Sequence, residues 1–219
     1  VADFVPPCAC AADIGTDHGY LPVWLLQSGV IQSAIAADIH AGPLANARQS
    51  AAAYDLEERF RFVQADGLQF SGAQAADVIT IAGMGGETIC TILAAAPWLR
   101  EGRRLILQPQ SKVPELADWL WHNGFTIEDA ALCRDAGKRY LALRVLGRVA
   151  AQSCTVEQLL LRHRDPLLPE QLKEEIRRQK RARAGMAHAK QTPEAALAAL
   201  DARLSELEAC LKEVQTWQS

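Results

Sequence analysis

The chain has 219 residues, of which 49% are hydrophobic and 22% charged, with a formal charge of −3. That length suits one full domain plus an appendage, and the composition is that of an ordinary soluble globule, which excludes a disordered or fibrous chain. No apolar run approaches the roughly 18–20 residues of a membrane span and nothing at the N-terminus reads as a secretion signal, so a cytoplasmic protein that engages no membrane is expected.

Residues 1 to 147 alternate short apolar runs with longer helix-like segments. In chain order "CACAAD", "SAIAAD", "FRFVQAD", "ADVITIAG" and "RRLILQP" read as buried parallel strands, because each is a near-continuous apolar run ending in a polar or turn residue. Between them "LPVWLLQSG", "GPLANARQSAAAYDL", "GETICTILAAAPWL" and "SKVPELADWLWHNG" have helical periodicity, with glycine stops at Gly29 and Gly124. The alternation then breaks. "FTIEDAAL" and "RYLALRVLG" are separated only by "CRDAGK", too short for a crossover helix and suited to an antiparallel hairpin. An α/β, Rossmann-like sheet of parallel strands closed by an antiparallel hairpin is the arrangement of class I S-adenosylmethionine (SAM) methyltransferases.

From about residue 151 the texture changes, which predicts domains over 1–150 and 151–219. A charged helical stretch is interrupted near Asp165-Pro166, and after the breaker-rich "GMAHAKQTP" a second helix spaces Leu197, Leu200, Leu204, Leu207, Leu211 and Val214 as a coiled-coil seam. A turn at Gly185 to Pro193 makes an antiparallel helical hairpin the economical reading of this coiled-coil appendage. A dimerising coil is the rival, which the short segment disfavours, so a monomer is expected. The six cysteines, Cys8, Cys10, Cys90, Cys133, Cys154 and Cys210, form no C-x-x-C pair and sit at no metal spacing. They read as reduced, buried thiols, with no metal bound.

Ligands of open α/β sheets bind at the carboxyl ends of the strands, so the informative residues should stand where the apolar runs stop. In "AADIGTDHGYLP" Gly15 and Gly19 permit close approach, and the helix beginning near Tyr20 offers free N–H groups. Asp13 and Asp17 would repel the phosphate of a dinucleotide but suit a cation such as the ammonium and sulfonium of SAM. Asp38 ends the second run, where it could accept both hydroxyls of a ribose or simply cap the next helix. Asp66 could accept from the amine of an adenine, with Gly67 letting the ring lie close. In "AGMGG", Gly83, Gly85 and Gly86 around Met84 suggest an open shelf; close helix–strand packing accounts for one glycine but not readily for three.

The stretches "ADIGTDHGYLP", "DIHAGPLANAR", "ADGL", "ITIAGMGG", "LILQPQ" and "ADWLWHNGF" closely resemble the bacterial TrmK family, the tRNA (adenine(22)-N(1))-methyltransferases, from Val1 to about Gly147. The resemblance implies a SAM-dependent enzyme that methylates N1 of an adenine in the D arm of tRNA. It carries Asp13, Gly15, Asp17, Asp38, Asp66, Gly67 and Gly83 to Gly86 into the site. Gln110 stands where the family commonly has asparagine, and the chain starts at Val1 where the family has a short leading helix, so a truncated N-terminus is expected.

Transfer to a ring nitrogen that carries no proton needs positioning more than a strong base. Asp17 is the candidate for stabilising charge on the ring or removing a proton from the product's amine, with binding of the methionine ammonium as its other role. His18 reads as a hydrogen bonder that fixes the cofactor loop. Tyr20 could stack on an extruded base, and Gln108 and Gln110 could read base edges or end a strand. The stretch 171 to 190 carries Lys173, Arg177, Arg178, Lys180, Arg181, Arg183 and Lys190 against Glu174 and Glu175. It reads as a phosphate-tracking stripe for tRNA, centred on Arg177, Arg178 and Arg181, or as a solvated helix face. The rivals are a SAM enzyme acting on a small molecule or protein, a nicotinamide oxidoreductase whose phosphate loop Asp17 would spoil, and a non-catalytic RNA-binding adaptor.

Overall fold

The computed structural model describes residues 1–150, 154–187 and 194–218. Seven strands and seven helices follow in the order β1 (Cys8–Ile14), α1 (Tyr20–Gln27), β2 (Ile31–Asp38), α2 (Ala41–Ala53), β3 (Phe60–Gln64), β4 (Val78–Gly85), α3 (Gly86–Ala94), β5 (Arg104–Ser111), α4 (Val113–His122), β6 (Thr126–Asp135), β7 (Lys138–Leu146), α5 (Val156–Arg162), α6 (Leu168–Ala187) and α7 (Glu194–Gln215). They form two compact units, Val1–Ala130 with Arg134–Cys154, and Ala131–Cys133 with Thr155–Ser219.

The first unit is built on one sheet in the order β3-β2-β1-β4-β5-β7-β6. The five apolar runs are its parallel strands, and β7 joins β5 antiparallel. Strands covered on both faces carry no alternation, and β1 and β2 accordingly bury Ala11, Ala12, Ala34, Ala36 and Ala37 beside Ile14 and Ile35. Strand order reverses between β1 and β4. With right-handed crossovers, that reversal puts α1 and α2 on one face and α3 on the other, and opens a crevice at the carboxyl ends of β1 and β4.

The closing hairpin is longer than its sequence suggests. Ala136 and Gly137 both have positive φ, +46° and +79°, the backbone of a two-residue turn matched to strand twist. The ladder therefore runs to Asp135 and restarts at Lys138, taking in most of the "CRDAGK" connector. The third helix is shorter, ending at Ala94, and Pro97 opens a separate 3₁₀ turn over Pro97–Arg100.

In the second unit α5 is fixed at its start by a reciprocal cap: Gln158 N–H donates to Thr155 Oγ1 at 3.2 Å and Thr155 N–H to Gln158 Oε1 at 2.9 Å. Helices α6 and α7 run antiparallel, joined by Lys180–Glu208 at 2.7 Å and by Arg183–Asp201. Leu204, Leu207 and Val214 of the leucine seam are buried, as are Leu168, Leu172 and Ile176 of α6. The turn at Gly185 to Pro193 lies mostly outside the described residues. The break at Asp165-Pro166 separates α5 from α6, and it has a structural task. Asp165 is 8% exposed and accepts from Leu132 N–H and Leu167 N–H, both at 2.9 Å. Asp165→Ala strands two amides and is expected to lower stability by roughly 2–4 kcal/mol, read as an earlier urea midpoint with unchanged slope. An unchanged midpoint would exclude this role.

Candidate functional site

Strand β1 delivers Asp13 to the crevice with its carboxyl group only 7% exposed. Thr80 Oγ1, across the ladder on β4, donates to Asp13 Oδ1 at 2.6 Å. Burial raises the Asp13 pKa above its ordinary 3.8 and the charge of Asp38 pushes the same way, while the Thr80 and Thr16 hydroxyls pull it back. The Thr16 hydroxyl faces that carboxylate without reaching ordinary hydrogen-bond geometry, so it stands as a buried oxygen with no partner. Such an oxygen costs about 1–3 kcal/mol unless something outside the chain bonds it.

The loop after β1 commits three of its amides inside the fold. Gly15 N–H and Thr16 N–H both go to Ala37 O, at 2.8 and 3.2 Å, and Gly19 N–H goes to Thr16 O at 2.8 Å. Pro22 removes a further donor from the first turn of α1. The two carboxylates are what set this loop apart from the phosphate cradle of a dinucleotide loop. Asp17, in the left-handed region at φ +47°, points an exposed carboxylate outward with His18 Nε2 3.7 Å away. A cavity of about 210 Å³ is lined by Asp13, Gly15, Thr16, Asp17, His18, Tyr20, Leu21 and Ala82. That is below the roughly 300–1,000 Å³ of a drug-sized ligand's site and fits one end of such a ligand.

The other strand ends complete the row. Asp38 accepts from His40 N–H with Oδ1 at 2.9 Å, a local turn bond that leaves its second oxygen for a ligand. Asp66 is exposed just past β3, where Ala65 N–H donates to Asp38 O. Among the described residues no lysine or arginine pairs with Asp13, Asp17, Asp38 or Asp66. The crevice is a mouth of uncompensated negative charge.

The "AGMGG" segment is a bulge. The β4–β5 register shifts at Ala82/Met84 and again at Met84/Gly85, and Gly83 adopts φ +77°. A bulge leaves a residue without its ladder partner, and here Gln108 Oε1 accepts from Gly83 N–H at 3.0 Å while its amide nitrogen donates to Pro109 O at 3.3 Å. Gln108, 9% exposed, thus bonds the amide that the bulge sets free. Gln110 is exposed, its amide nitrogen 3.7 Å from where a Cβ on Gly83 would stand. The Met84 methyl lies where a Cβ on Gly15 would sit, so the loops of β1 and β4 meet through this pair.

The remaining glycines differ from the shelf expected of them. A Cβ on Gly86 would come within 2.7 Å of Lys112 O and 2.9 Å of Ser111 O, and one on Gly85 within 3.2 Å of Ser111 Oγ. Both let α3 begin against the end of β5. Gly67 is filled on its open side by Ile92 of α3, 3.0 Å from a notional Cβ. Two functional candidates escaped sequence reading. The sequence reading assigns no role to Thr16 or to Ile39, which stands half-exposed straight after Asp38. An apolar residue directly following a strand-end acid was the available signal for Ile39.

On the second unit Arg177, Arg178 and Arg181 border a cavity of about 450 Å³ with Glu174. The basic stripe is partly committed inside the protein. Arg178 pairs with Glu175 at 2.8 Å, and Lys180 and Arg183 bond acids of α7. Lys190 lies outside the described residues.

The doubly wound sheet, its closing antiparallel hairpin and the acidic first loop define a class I methyltransferase-type domain. The family signature described as "Methyltransferase domain" matches residues 1–143. The tRNA (adenine(22)-N(1))-methyltransferase of Bacillus subtilis is 37% identical over 144 residues, 65% of this chain and 60% of that enzyme's length. The crystal structure of the B. subtilis M1A22 tRNA methyltransferase TrmK superposes with a TM-score of 0.81 at 27% identity, covering 96% of this chain and 95% of that one. A Streptococcus pneumoniae protein solved in complex with S-adenosyl-L-methionine gives 0.78 at 30% identity, over 96% and 95%. The chain belongs to the methyltransferase-domain family and, within it, to the TrmK group.

The electrostatics of Asp13 have a measurable consequence. A carboxyl whose folded pKa is raised contributes stability that is whole below its unfolded value of 3.8 and is lost as pH rises through the folded value. Asp13→Asn keeps the shape and a bond to Thr80 without the charge. Its thermal midpoint is expected to match the wild type in acid, where both states are protonated, and to exceed it by a margin that widens as pH rises above 3.8. A margin that does not change with pH would contradict the assignment.

Proposed function

We propose that this chain transfers the methyl group of SAM to N1 of adenine 22 in the D arm of tRNA. The observation that carries the reading is the crevice: four carboxylates with no lysine or arginine partner, a buried Asp13 and an orphaned Thr16 hydroxyl, beside a bulged, glycine-bearing strand end. Its relatives act on that base or are solved with that cofactor. The residues fit the group. Asp13 and Asp17 would hold its ammonium, the Thr16 hydroxyl its carboxylate, Asp38 the ribose hydroxyls and Asp66 the adenine amine, with Ile39 offering an apolar face to the ring.

When bound, SAM supplies a methyl group already activated by its sulfonium. The protein's part is arrangement. N1 of neutral adenine carries no proton, so orientation within the crevice supplies most of the acceleration and no strong base is needed. Asp17, exposed and fixed by its left-handed backbone, stabilises positive charge on the ring and accepts a proton from the exocyclic amine. Because N1 lies on the pairing edge, the adenine must leave its stack first. The first unit is the catalytic domain and the second the tRNA-binding appendage, a coiled-coil hairpin. We read the protein as a monomer, because the leucine seam of α7 is occupied by its own chain. Six free thiols fit the reducing cytoplasm. No helix among the described residues is long and apolar enough to cross a membrane.

Unmodified tRNA incubated with labelled SAM is expected to yield 1-methyladenosine at that position; label on a metabolite or protein, with none on tRNA, would replace the reading. Asp17→Ala is expected to lower turnover by about 100-fold while SAM affinity by calorimetry falls less than about tenfold. Equal losses would make Asp17 a ligand of the ammonium only. Charge reversal at Arg177, Arg178 and Arg181 is expected to flatten the dependence of log tRNA affinity on log salt by roughly one for each phosphate contact removed. An unchanged slope would leave the stripe as a solvated face.

A further inference from the structure

Helix α1 is apolar on the wrong side as well as the right one. Pro22, Val23, Leu25 and Leu26 are buried against the sheet, as an amphipathic helix requires. Its outer face nevertheless carries Tyr20, 68% exposed, and Trp24, 47% exposed, one turn apart. Nothing in the packing of the first unit accounts for two large aromatics in water. At the inner end of this row His18 stacks on Tyr20, with ring centroids 5.2 Å apart and planes 8° from parallel. His18 and Tyr20 also line the acidic cavity. The aromatic row is therefore continuous with the site and leads away from it along α1.

We propose that Trp24, together with the outer face of Tyr20, is the stacking platform for an unpaired nucleotide flanking the target adenine. The inference rests on the tRNA reading above and adds the part of the RNA that this face holds. Extruding one base leaves its neighbour with an uncovered face, and an aromatic side chain that replaces the lost stack is worth about 1–3 kcal/mol per base. The carboxylates at the mouth reinforce the choice, since they repel the phosphates and turn the bases toward the protein. A second copy of the chain fits less well. Two partly exposed aromatic side chains offer at most roughly 300 Å², well under the ~800 Å² per partner of a stable dimer.

The experiment uses the full chain and unmodified tRNA with 2-aminopurine in place of the nucleotide next to the target adenine. Binding to the wild type is expected to quench the 2-aminopurine. Trp24→Ala should lose most of that quench and raise KM for unlabelled tRNA by about tenfold, the share of one stacked base. Turnover at saturating tRNA, SAM affinity and thermal midpoint should stay as in the wild type, and Trp24→Phe should recover most of the KM. An unaltered KM and quench in Trp24→Ala would overturn the proposal. So would a wild-type dimer that Trp24→Ala dissociates with KM unchanged, which would make the face a self-association surface. A wild type that binds SAM but methylates no tRNA would bring down the reading on which this rests, and this inference with it.

Discussion

A carboxyl group buried between the two central strands sets the terms for the rest of this molecule. Asp13 stands where β1 has β2 on one side and β4 on the other, bonded to Thr80 and almost shut off from water. Apolar strands favour their neighbours regardless of what binds at their ends, but a buried acid does not favour the fold at neutral pH. In the reading proposed above, a positively charged ligand supplies the other half of that interaction. The Thr16 hydroxyl one turn of loop away is likewise buried without a partner.

The β4 bulge is the counterpart of that acid on the other side of the switch point. It breaks the regular ladder at the end of β4, and Gln108 removes the penalty by bonding the amide the bulge sets free. The glycines around it divide by role. Gly83 permits the bulge, while Gly86 and Gly85 let α3 start against β5, and Met84 closes the seam onto Gly15. A cluster that reads as one ligand shelf is thus a bulge and a packing contact in succession.

The helical unit solves a separate problem with the same economy. Its seam leucines are covered within the chain, and a fraction of its basic residues answer acids of α7, which fixes the pairing of the two helices. Arg177 and Arg181, one turn apart on α6, are exposed cations that border the second unit's cavity. Charge that looked uniform along the sequence is split between holding the hairpin and facing solvent.

Much of this was present in the order of residues. Buried parallel strands write themselves as apolar runs, and each run stops near a polar or glycine residue, so Asp13, Asp38, Asp66 and Gly83 could be placed at strand ends before any contact was known. The three–four spacing of leucines likewise located the helical pair, because a helix repeats its face regardless of what covers it. Other properties depend on what lies across the gap, and one chain position says nothing of its opposite. Only the tertiary structure could assign Gln108 to the bulge, Gly67 to Ile92 and Gly86 to Lys112, show the loop amides already spent on Ala37, and leave Thr16 without a partner. Periodicity is a local property of the chain, whereas hydrogen-bond satisfaction and close packing exist only between segments that folding brings together.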